Sequence, residues 1–504
     1  MPTKEMKLKT LDIAFCREIR DPLYNYIFIT DCESPILDSD IFQRLDRIYQ
    51  MPTALLVYPS AKHTRKTHSL GVMQLAHEAM VNLLYLQSER ISSKISPLFW
   101  QGNVVTREPR GKNLDNLQTL REDWWTKKEL DYIVQSVRLA GMLHDLGHAP
   151  LTHLFEDICK SLEIKIDHKG KTMNFDHEVM SRKIIDEKEG ELGIKSPFNA
   201  EYVNDILDRE EGKAPAFVKE IVSGGYDCDK LDYLTRDATA AGALEFGRID
   251  AKRILSGFRV VDEKLCVSTS AIDALMNSFD ALQYMYTSVY YHRTARIFDY
   301  MIQDALLKVP EFLQNMVSDI DTFLKFDDYN FVGKTIEYVN ANRNDENKDV
   351  IEILDDYRNR KKRYVQIFLH RLTSGYLLIQ PTNKALEELE KELNELAKTL
   401  EIRIDFRPKI RPVGIDLEGL RDWLLEERIY DPSEGETKPL YDISRAYHDK
   451  LKHYTILFRI FANRKQLHPA HDTRNICNTE KDKICKTAKE KMEEIEKQYE
   501  KLSF

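Results

Sequence analysis

The stretch AGMLHDLGHAPLTHLFE, Ala140 to Glu156, decides the fold of this chain. Leading into it, apolar residues recur every three or four positions from Ile133 to Leu143, which is typical of a helix with one buried face. We therefore predict a core helix that ends at His144 and Asp145. Pro150 stops any further helical turn because it lacks the backbone N–H.

The same stretch concentrates ionisable side chains among apolar ones. His144, His148, His153 and Glu156 fall within thirteen residues that are flanked by Leu, Met and Phe. Burying such groups is unfavourable unless they bind something, so the pattern favours a ligand site. The alternative is a corner between two helices at which these groups only hydrogen-bond to one another.

A second polar segment, YDCDKLDYLTRD, follows downstream. From Asp229 to Asp237 its polar side chains fall at offsets 0, 3, 4, 7 and 8, which predicts one stripe along a helix. A solvent-exposed helix face would show the same spacing. His68 in the upstream stretch KHTRKTH completes a set of two imidazoles and two carboxylates with His144, Asp145 and Asp229. Such a set suits iron, manganese, zinc or magnesium and does not select among them.

These residues resemble the HD-domain phosphohydrolases, whose pattern is His, then His-Asp, then Asp. The closer resemblance is to the deoxynucleoside triphosphate triphosphohydrolases, in particular the branch that joins a SAM domain to the HD domain, although the residues before the core leave no room for a SAM domain here. Five blocks agree in order and spacing: Phe42 to Met51, Tyr58 to Val72, Ala140 to Glu156, Phe175 to Glu178, and Asp227 to Asp237.

The resemblance implies a divalent metal held by four residues: His68, His144, Asp145 and Asp229. It also implies that Arg65, His148 and Lys230 meet the phosphates, where a guanidinium fork suits phosphate geometry. His153 would be the general acid that protonates the 5′-oxygen, with His177 and Glu156 behind it. The family has Asp where this chain has Glu156.

For the sugar, the resemblance implies contacts from Gln50, Tyr233 and Asp237, with Met51 beside them. Tyr290, next to Tyr291, would crowd the 2′ position and disfavour ribose. Tyrosines are dense in this segment, so most of them are expected simply to pack.

Two departures from the family concern phosphate and nucleotide contacts. Where the family places an Arg and a His that grip the outer phosphates, this chain has Leu282 and Tyr286, and Arg293 and Arg296 are the nearby basic candidates. In the family's regulatory nucleotide site, Asp38 and Gln43 match, and Arg293 is a further candidate. Asp46 replaces an Arg there, which puts activation by the same guanine nucleotide in doubt.

Composition bounds the class of protein. The 504 residues carry a formal net charge of −9, and this argues against a dedicated nucleic-acid binder, whose surface is usually basic. The seven cysteines are scattered without a C-x-x-C pair, as expected for free thiols in a reducing compartment. No stretch is long and apolar enough to span a membrane, so we expect a cytoplasmic protein.

We predict a mainly α fold: an HD-domain helical core followed by a smaller C-terminal α+β lobe. The predicted parts are a lead-in with strands, the catalytic core, a helical extension, the lobe and a charged C-terminal helix. Their boundaries are 1–35, 36–310, 311–372, 373–465 and 466–504.

The sequence thus predicts a metal-dependent hydrolase that converts a deoxynucleoside triphosphate to deoxynucleoside and inorganic triphosphate, with a nucleotide activator and a homo-oligomer, tetramer or dimer, as in the family. Its use would be control of nucleotide pools or starving an invading genome of them. One alternative is an HD nucleotidase or phosphodiesterase acting on monophosphates or cyclic nucleotides. The other is a nucleotide-sensing subunit without catalysis.

Overall fold

The computed structural model describes residues 13–87, 127–209, 212–375, 379–406, 428–447, 453–467 and 474–500. Most of these residues are helical, and the strands form small sheets, so the predicted mainly α fold is confirmed. The polar stretch from Gln101 to Asp123, whose composition predicts a surface insertion, lies outside the described residues.

The helices, in chain order, are α1 Ser34–Asp38, α2 Asp40–Gln43, α3 Arg65–Gln87, α4 Lys127–Leu143, α5 His153–Ser161, α6 His177–Glu187, α7 Glu189–Leu192, α8 Ala200–Leu207, α9 Ala216–Val222, α10 Cys228–Ala241, α11 Leu244–Gly247, α12 Ala251–Gly257, α13 Ile272–Met285, α14 Arg293–Leu306, α15 Pro310–Ser318, α16 Ile320–Phe323, α17 Phe331–Ala341, α18 Val350–Arg358, α19 Ile379–Leu396, α20 Leu440–Ile443, α21 Arg464–Leu467 and α22 Arg474–Glu500.

The strands are β1 Phe15–Asp21, β2 Asn25–Thr30, β3 Lys165–His168, β4 Lys171–Asn174, β5 Phe258–Val261, β6 Lys264–Ser268, β7 Tyr364–Gly375, β8 Ile402–Phe406, β9 Ile429–Asp431, β10 Glu436–Lys438 and β11 His453–Asn463. They form the hairpins β1-β2 and β3-β4, a sheet in the order β10-β9-β6-β5 and a sheet in the order β7-β11-β8. Every pairing is antiparallel except β6 with β9, which is parallel.

The chain divides into two compact units. The first contains the described parts of 1–285, 310–335 and 412–443, and the second those of 286–309, 336–411 and 444–504. All of the HD-pattern blocks lie in the first unit. The domain boundaries predicted from the sequence remain a prediction.

The first unit is built around α3. This helix carries buried apolar side chains on all of its faces, among them Leu70, Met73, Leu75 and Val81. A helix that is apolar all round is stable only when other elements surround it, and α3 contacts α4, α9, α10 and α12. Residues in its first turn are therefore placed in the interior of the unit.

The polar stripe predicted on α10 is present but is buried. The exposed fractions of Asp232, Arg236 and Asp237 are 0%, 4% and 2%. The helix begins after Asp227, whose side chain accepts a hydrogen bond from the Lys230 N–H, and it ends at Gly242 in the left-handed conformation. The stripe thus faces other elements of the unit and not solvent, which spacing alone does not reveal.

The second unit pairs β7, β11 and β8 with long helices. The charged C-terminal helix has one buried apolar stripe: α22 packs Ile484, Ala488, Met492 and Ile495 within the unit, where it contacts α19 and β7. The strand β7 begins at Tyr364, earlier than the α+β character predicted from residue 373. The basic residues just before Tyr364 are typical of a solvent-exposed helix face, so the sequence does not indicate that β7 begins there.

Among the described residues, no helix is long and apolar enough to cross a membrane. The six cysteines whose side chains are described are free thiols.

Candidate metal centre and active site

Three helices of the first unit bring together the four predicted ligands, which we call the metal pocket: His68, His144, Asp145 and Asp229. His68 lies in the first turn of α3, and Asp229 lies in the first turn of α10. His144 and Asp145 follow directly after the end of α4. Because α3 contacts both α4 and α10, the three segments meet at one end of the helix group.

The side-chain atoms of the metal pocket converge. The Nε2 atom of His68 lies 2.9 Å from Oδ1 of Asp229 and 3.8 Å from Oδ2 of Asp145. The Nε2 atom of His144 lies 3.2 Å from Oδ1 of Asp145 and 3.9 Å from Oδ1 of Asp229. His68, His144 and Asp145 each offer a ligand atom within 4.8 Å of the others.

Hydrogen bonds outside the pocket fix the orientation of both imidazoles. Nδ1 of His68 lies 2.8 Å from a carboxylate oxygen of Asp232, and Nδ1 of His144 lies 2.9 Å from the carbonyl oxygen of Gly141. Since both neighbours are acceptors, each Nδ1 is placed to donate, which leaves Nε2 of each ring available to a cation. Both Nε2 atoms are buried and have no hydrogen-bond partner. Buried imidazole nitrogens that face carboxylate oxygens form a site that a cation would satisfy.

The electrostatics of the pocket favour positive charge. Burial alone would raise the pKa of the Asp145 carboxyl, but His144, Arg65 and His148 outweigh burial and hold it well below its usual value. Burial would also raise the pKa of Asp229, yet chiefly His68 lowers it to about 2. Both carboxyls are therefore ionised at neutral pH, as metal ligands must be.

A second group of side chains, the histidine cluster, comprises His148, His153, His177 and Glu156. Oε2 of Glu156 lies 2.8 Å from Nδ1 of His177 and 3.4 Å from Nδ1 of His153. The rings of His148 and His177 stack at 4.0 Å, and the ring of His153 meets both edge to face at 4.9 and 5.2 Å. One carboxylate thus orients two imidazoles, and His153 keeps a buried Nε2 without a hydrogen-bond partner.

The electrostatics of the histidine cluster differ from one ring to the next. Burial, helped by the positive charges of Arg65 and His177, lowers the pKa of His148 well below its usual value, so this ring is neutral. Burial would also lower the pKa of His177, but Glu156 outweighs it and raises the pKa to about 10. His177 is therefore a cation that is paired with Glu156.

The loop between α4 and α5 carries His144, Asp145 and His148, and it is strained. Leu151 and Thr152 have φ of 66° and 51°, a conformation that is unfavourable for residues with a side chain. Oδ1 of Asp328 accepts a hydrogen bond from the Leu151 N–H at 3.0 Å. The guanidinium of Arg44, itself fully buried, donates to the carbonyl oxygen of His148 at 2.9 Å and to that of Phe326 at 2.8 Å. These contacts hold the loop that presents His153.

Comparison with known proteins points to one family. A family model for the HD associated region matches residues 249–405. The deoxynucleoside triphosphate triphosphohydrolase SAMHD1 of Homo sapiens is 29% identical over 334 residues, which is 61% of this chain and 47% of that protein. The SAMHD1 homolog of Dictyostelium discoideum is 25% identical over 68% of this chain and 58% of its own length. An uncharacterised protein of Methanocaldococcus jannaschii is 31% identical over 62% of this chain and 53% of its own length.

The chain is similar to the HD-domain family that includes the deoxynucleoside triphosphate triphosphohydrolases, which confirms the resemblance predicted from the sequence. The chain spans only about half the length of these curated relatives. Solved structures agree on the fold: a hypothetical protein from Aquifex aeolicus and a phosphohydrolase from Bacteroides thetaiotaomicron each give a TM-score of 0.58, at 24% and 21% identity, covering 91% and 89% of this chain and 99% of theirs.

The metal pocket of this HD domain fits a divalent cation. Two imidazole nitrogens and two ionised carboxylates form a mixed ligand set that suits Mn²⁺, Fe²⁺, Mg²⁺ or Zn²⁺. The histidine cluster fits a metal less well, although its three imidazoles also offer nitrogens within 4.8 Å of one another. The planes of His148 and His177 lie within 13° of parallel. Since the lone pair of an imidazole lies in the ring plane, one ion cannot lie in both planes.

Two other predicted phosphate contacts of the HD domain are buried. Nη1 of Arg65 donates to Oδ2 of Asp145 at 2.9 Å, and its Nε has no hydrogen-bond partner. Arg65 therefore lies at the metal pocket. Lys230 instead donates to Oδ2 of Asp227 at 2.7 Å and to the carbonyl oxygen of Gly224 at 3.2 Å. Two of its three N–H donors thus stabilise the start of α10.

The predicted sugar contacts in the first unit lie on α10 and on the segment before α3. The rings of Tyr233 and His68 are 6.4 Å apart, and a carboxylate oxygen of Asp237 lies 2.6 Å from Nε2 of His63. Gln50 has a buried Oε1 without a hydrogen-bond partner. Met51, the next residue, is also buried.

Tyr290 and Tyr291 belong to the second unit, so their role at the sugar stays a prediction. Both pack on Tyr286, at ring distances of 5.0 and 5.5 Å, in agreement with the expectation that most tyrosines of this segment are packing residues. Arg296 of the same unit is buried in ion pairs with Asp299 and Asp405.

The two predicted regulatory residues of the first unit, Asp38 and Gln43, already have hydrogen-bond partners. Asp38 accepts two hydrogen bonds from the guanidinium of Arg17, at 2.6 and 2.7 Å. Gln43 accepts from Lys66 and donates to a backbone carbonyl. Arg293 lies in the second unit and is exposed, so no grouping of the three is established.

Sequence reasoning assigned no role to five buried or half-buried residues that support the site: Arg44, His63, Asp232, Arg236 and Asp328. Asp232 and Arg236 were recognised only as part of a polar stripe. Arg44 lies inside the matched block Phe42 to Met51, and a charged residue between Phe42 and Leu45, both buried, was the available sign. Asp328 lies 177 residues from its partner Leu151, and no local pattern links them.

Proposed function

We propose that this chain is a metal-dependent phosphohydrolase that converts deoxynucleoside triphosphates to deoxynucleosides and inorganic triphosphate. The observation that carries the proposal is the adjacency of the two groups: His148 stacks within the histidine cluster, and its Nε2 lies 3.3 Å from Oδ1 of Asp145 in the metal pocket. A cation site thus adjoins a set of imidazoles suited to proton transfer. The triphosphate as substrate is supported by the names of the relatives.

His68, His144, Asp145 and Asp229 would hold the divalent cation. When bound, the cation would polarise a phosphoryl oxygen and lower the pKa of a water molecule. Four protein ligands leave positions open on an ion that prefers six, as a catalytic site requires.

Arg65 and His148 would bind the α-phosphate. The Nε–H of Arg65 is a buried donor without a partner, and an anionic phosphate would satisfy it. Neutral His148 would add a hydrogen bond from whichever nitrogen carries its proton. Both groups would stabilise the negative charge that develops as water attacks the α-phosphorus. Lys230 contributes only if its third donor reaches the phosphate.

His153 would protonate the 5′-oxygen as its bond to phosphorus breaks. Glu156 accepts from Nδ1 of this ring, so Nε2 is directed away from Glu156 and would be the atom that meets the leaving group. His177, a cation held by Glu156, would prevent that carboxylate from taking up the proton that His153 must deliver. The carboxylate of Glu156 would thus have two roles: it orients His153 and it balances the positive charge of His177.

The deoxyribose would lie against Gln50, Met51, Tyr233 and Asp237. Asp237 would accept from the 3′-hydroxyl, and the predicted role of Tyr290 is to disfavour a 2′-hydroxyl. We also propose a homo-oligomer, tetramer or dimer, and a nucleotide activator that binds near Asp38, Gln43 and Arg293. A cytoplasmic location is part of the same proposal.

One observation favours a second candidate function. Leu282 and Tyr286, at positions where the family places phosphate-binding Arg and His, are buried at 4% and 6% exposure and carry no positive charge. A site that lacks outer-phosphate contacts suits a nucleoside monophosphate or cyclic nucleotide. Hydrolysis of these by the same metal pocket is the second candidate.

Product analysis tests both. The purified chain is loaded with Mn²⁺, Mg²⁺ or Fe²⁺ and incubated with each of the four deoxynucleoside triphosphates, singly and mixed, and the products are separated by ion-exchange chromatography. We expect deoxynucleoside and intact triphosphate in equal amounts, and activity only in mixtures would reveal an activator. Orthophosphate released from monophosphates, with no triphosphate formed from any substrate, would establish the second candidate instead.

Loaded protein that binds the nucleotides and releases no product from any of them would leave only a sensing role. Light scattering with and without nucleotide measures the oligomer.

A further inference from the structure

The carboxylate of Asp232 lies behind His68 of the metal pocket and connects several side chains. It is completely buried and accepts four hydrogen bonds. Its Oδ2 accepts from Nδ1 of His68 and from Nε of Arg236, both at 2.8 Å. Its Oδ1 accepts from Nη2 of Arg236 at 2.9 Å and from the Tyr24 hydroxyl at 2.7 Å. A carboxylate offers about four acceptor positions, so every position of Asp232 is filled and each donor restricts the others.

Arg236 extends this network to the β1-β2 hairpin. Its Nη1 donates to Oδ2 of Asp21 at 2.9 Å. The other oxygen of Asp21 accepts from the backbone N–H groups of Leu23 and Tyr24, at 2.8 and 3.1 Å, and so forms the turn that joins the two strands. The same turn therefore positions the Tyr24 hydroxyl and anchors the guanidinium.

The net negative charge of the network strengthens the hydrogen bond that His68 donates to it. Asp21, Asp232 and Arg236 are at most 5% exposed, and they carry two negative charges against one positive charge. A buried excess of negative charge strengthens any N–H that points at it. The Nδ1–H of His68 is such a donor, and holding it at Asp232 keeps the Nε2 lone pair directed into the metal pocket.

A glycine on α3 makes room for the network. A Cβ atom at Gly71 would lie 1.9 Å from Oδ1 of Asp232 and 2.6 Å from Nη2 of Arg236. Neither atom can withdraw, because each is held by its other partners. Gly71 lies three residues after His68, so the ion pair packs against the same helix that carries the ligand. This close approach is independent of the hydrogen bonds.

We propose that Tyr24 and Asp21 are positioning residues for the metal pocket: the hairpin turn locks Asp232 and Arg236, and these lock the imidazole of His68 in its ligand orientation. The inference rests on the metal pocket of the proposed function. Removing a partner behind a ligating imidazole weakens metal binding by about 10- to 100-fold in other proteins. Tyr24 is one step further from the ion, so we expect about tenfold.

The experiment compares Tyr24→Phe with Tyr26→Phe in the full chain. Tyr26 lies on the same hairpin, 42% exposed, and its ring packs on the guanidinium of Arg20, which leaves the network untouched. Each protein is loaded with Mn²⁺, and the dissociation constant for Mn²⁺ is measured by competition with a chromogenic chelator. We expect about tenfold weaker binding for Tyr24→Phe and no change for Tyr26→Phe. Excess Mn²⁺ should restore the turnover of Tyr24→Phe.

The melting temperature of the metal-free proteins separates positioning from general stability. A lower melting temperature of Tyr24→Phe with unchanged Mn²⁺ affinity would overturn the inference, and so would equal affinities in all three proteins. If Tyr24→Phe does not fold, Asp21→Asn takes its place: its oxygen still accepts from the turn, while its amide group faces Arg236. Wild-type protein that binds no Mn²⁺ would overturn the metal pocket itself, and the inference with it.

Discussion

The metal pocket and the histidine cluster both combine imidazoles with carboxylates, yet they differ in which ring nitrogen faces the centre of the group. In the metal pocket, the acceptors for Nδ1 of His68 and His144 lie outside, and both Nε2 atoms face inward toward carboxylates. In the histidine cluster, the carboxylate of Glu156 lies between the rings and takes their Nδ1 atoms. The position of the carboxylate therefore decides whether imidazoles converge on a cation or handle a proton.

The largest effect should come from removing a carboxylate of the metal pocket. Asp145→Ala deletes a ligand and leaves the buried guanidinium of Arg65 without its partner. We expect loss of bound metal and a fall in kcat of roughly 10³-fold or more, since a Lewis acid contributes several kcal/mol and each 1.36 kcal/mol is tenfold. Elemental analysis of the dialysed protein and product assays measure the two losses.

Asp355→Ala is the matched control, because this carboxylate is exposed on α18 of the second unit. It should keep both metal and activity. An Asp145→Ala protein that retains stoichiometric metal and near-normal turnover would remove the metal pocket from the mechanism.

Removing the proposed general acid should lower turnover without affecting metal binding, and so distinguish the histidine cluster from the metal pocket. His153→Ala leaves every member of the metal pocket in place, so we expect normal metal content with kcat lower by roughly 10²- to 10³-fold, within the usual range for general acid catalysis. A substrate with a better leaving group than a 5′-alkoxide, such as a nitrophenyl phosphodiester, should recover much of the rate. Equal losses with both substrates would assign His153 a different role.

The metal pocket was predictable from the sequence because its residues lie in short blocks with fixed spacing, and because His144 marks a helix end that the apolar pattern before it predicts. Its supports were not predictable in the same way. The stripe that contains Asp232 and Arg236 has the spacing of a solvent-exposed face, and only the packing of α10 on α3 and on the hairpin shows that it is buried. That information is tertiary.

Long-range contacts also explain what was missed in the histidine cluster. The loop that presents His153 is held by Arg44 and Asp328, through partners more than one hundred residues away in sequence. In the second unit, the basic cluster before Tyr364 indicates a solvent-exposed helix face, yet a strand begins directly after it. Strand pairing with β11, not local preference, decides the structure there.

A smaller effect should follow from Glu156→Gln. The amide keeps the side-chain volume but removes the charge that holds His177 protonated, so the pKa of His177 should fall from about 10. Because the folded pKa is raised, the stabilisation from this pair is complete below about pH 6.5 and is lost as pH rises through about 10. The variant should lose that dependence and show roughly tenfold lower kcat, less than His153→Ala.

Urea unfolding at pH 7 and pH 10 measures the first effect, and steady-state kinetics measures the second. Glu187 is an exposed carboxylate on α6 that pairs with Lys183, so Glu187→Gln is the control. If wild type and Glu156→Gln lose equal stability between the two pH values, Glu156 does not carry the charge of His177.

The smallest effect on turnover is expected from Asp328→Asn, which tests the support of the strained loop. Burial raises the pKa of Asp328 to about 6, partly offset by the N–H groups of Tyr49 and Leu151. Because the folded pKa lies above the usual value near 3.9, the contribution of this group to stability is greatest below about pH 4 and declines as pH rises through 6, by at most about 3 kcal/mol. Asn does not titrate, so urea unfolding at pH 4.5 and pH 7 should show a smaller difference for the variant than for wild type. The single side-chain oxygen of Asn accepts from only one of the two N–H groups. A modest fall in kcat with unchanged metal content would show that Asp328 supports the histidine cluster. Loss of metal would show that it supports the metal pocket instead.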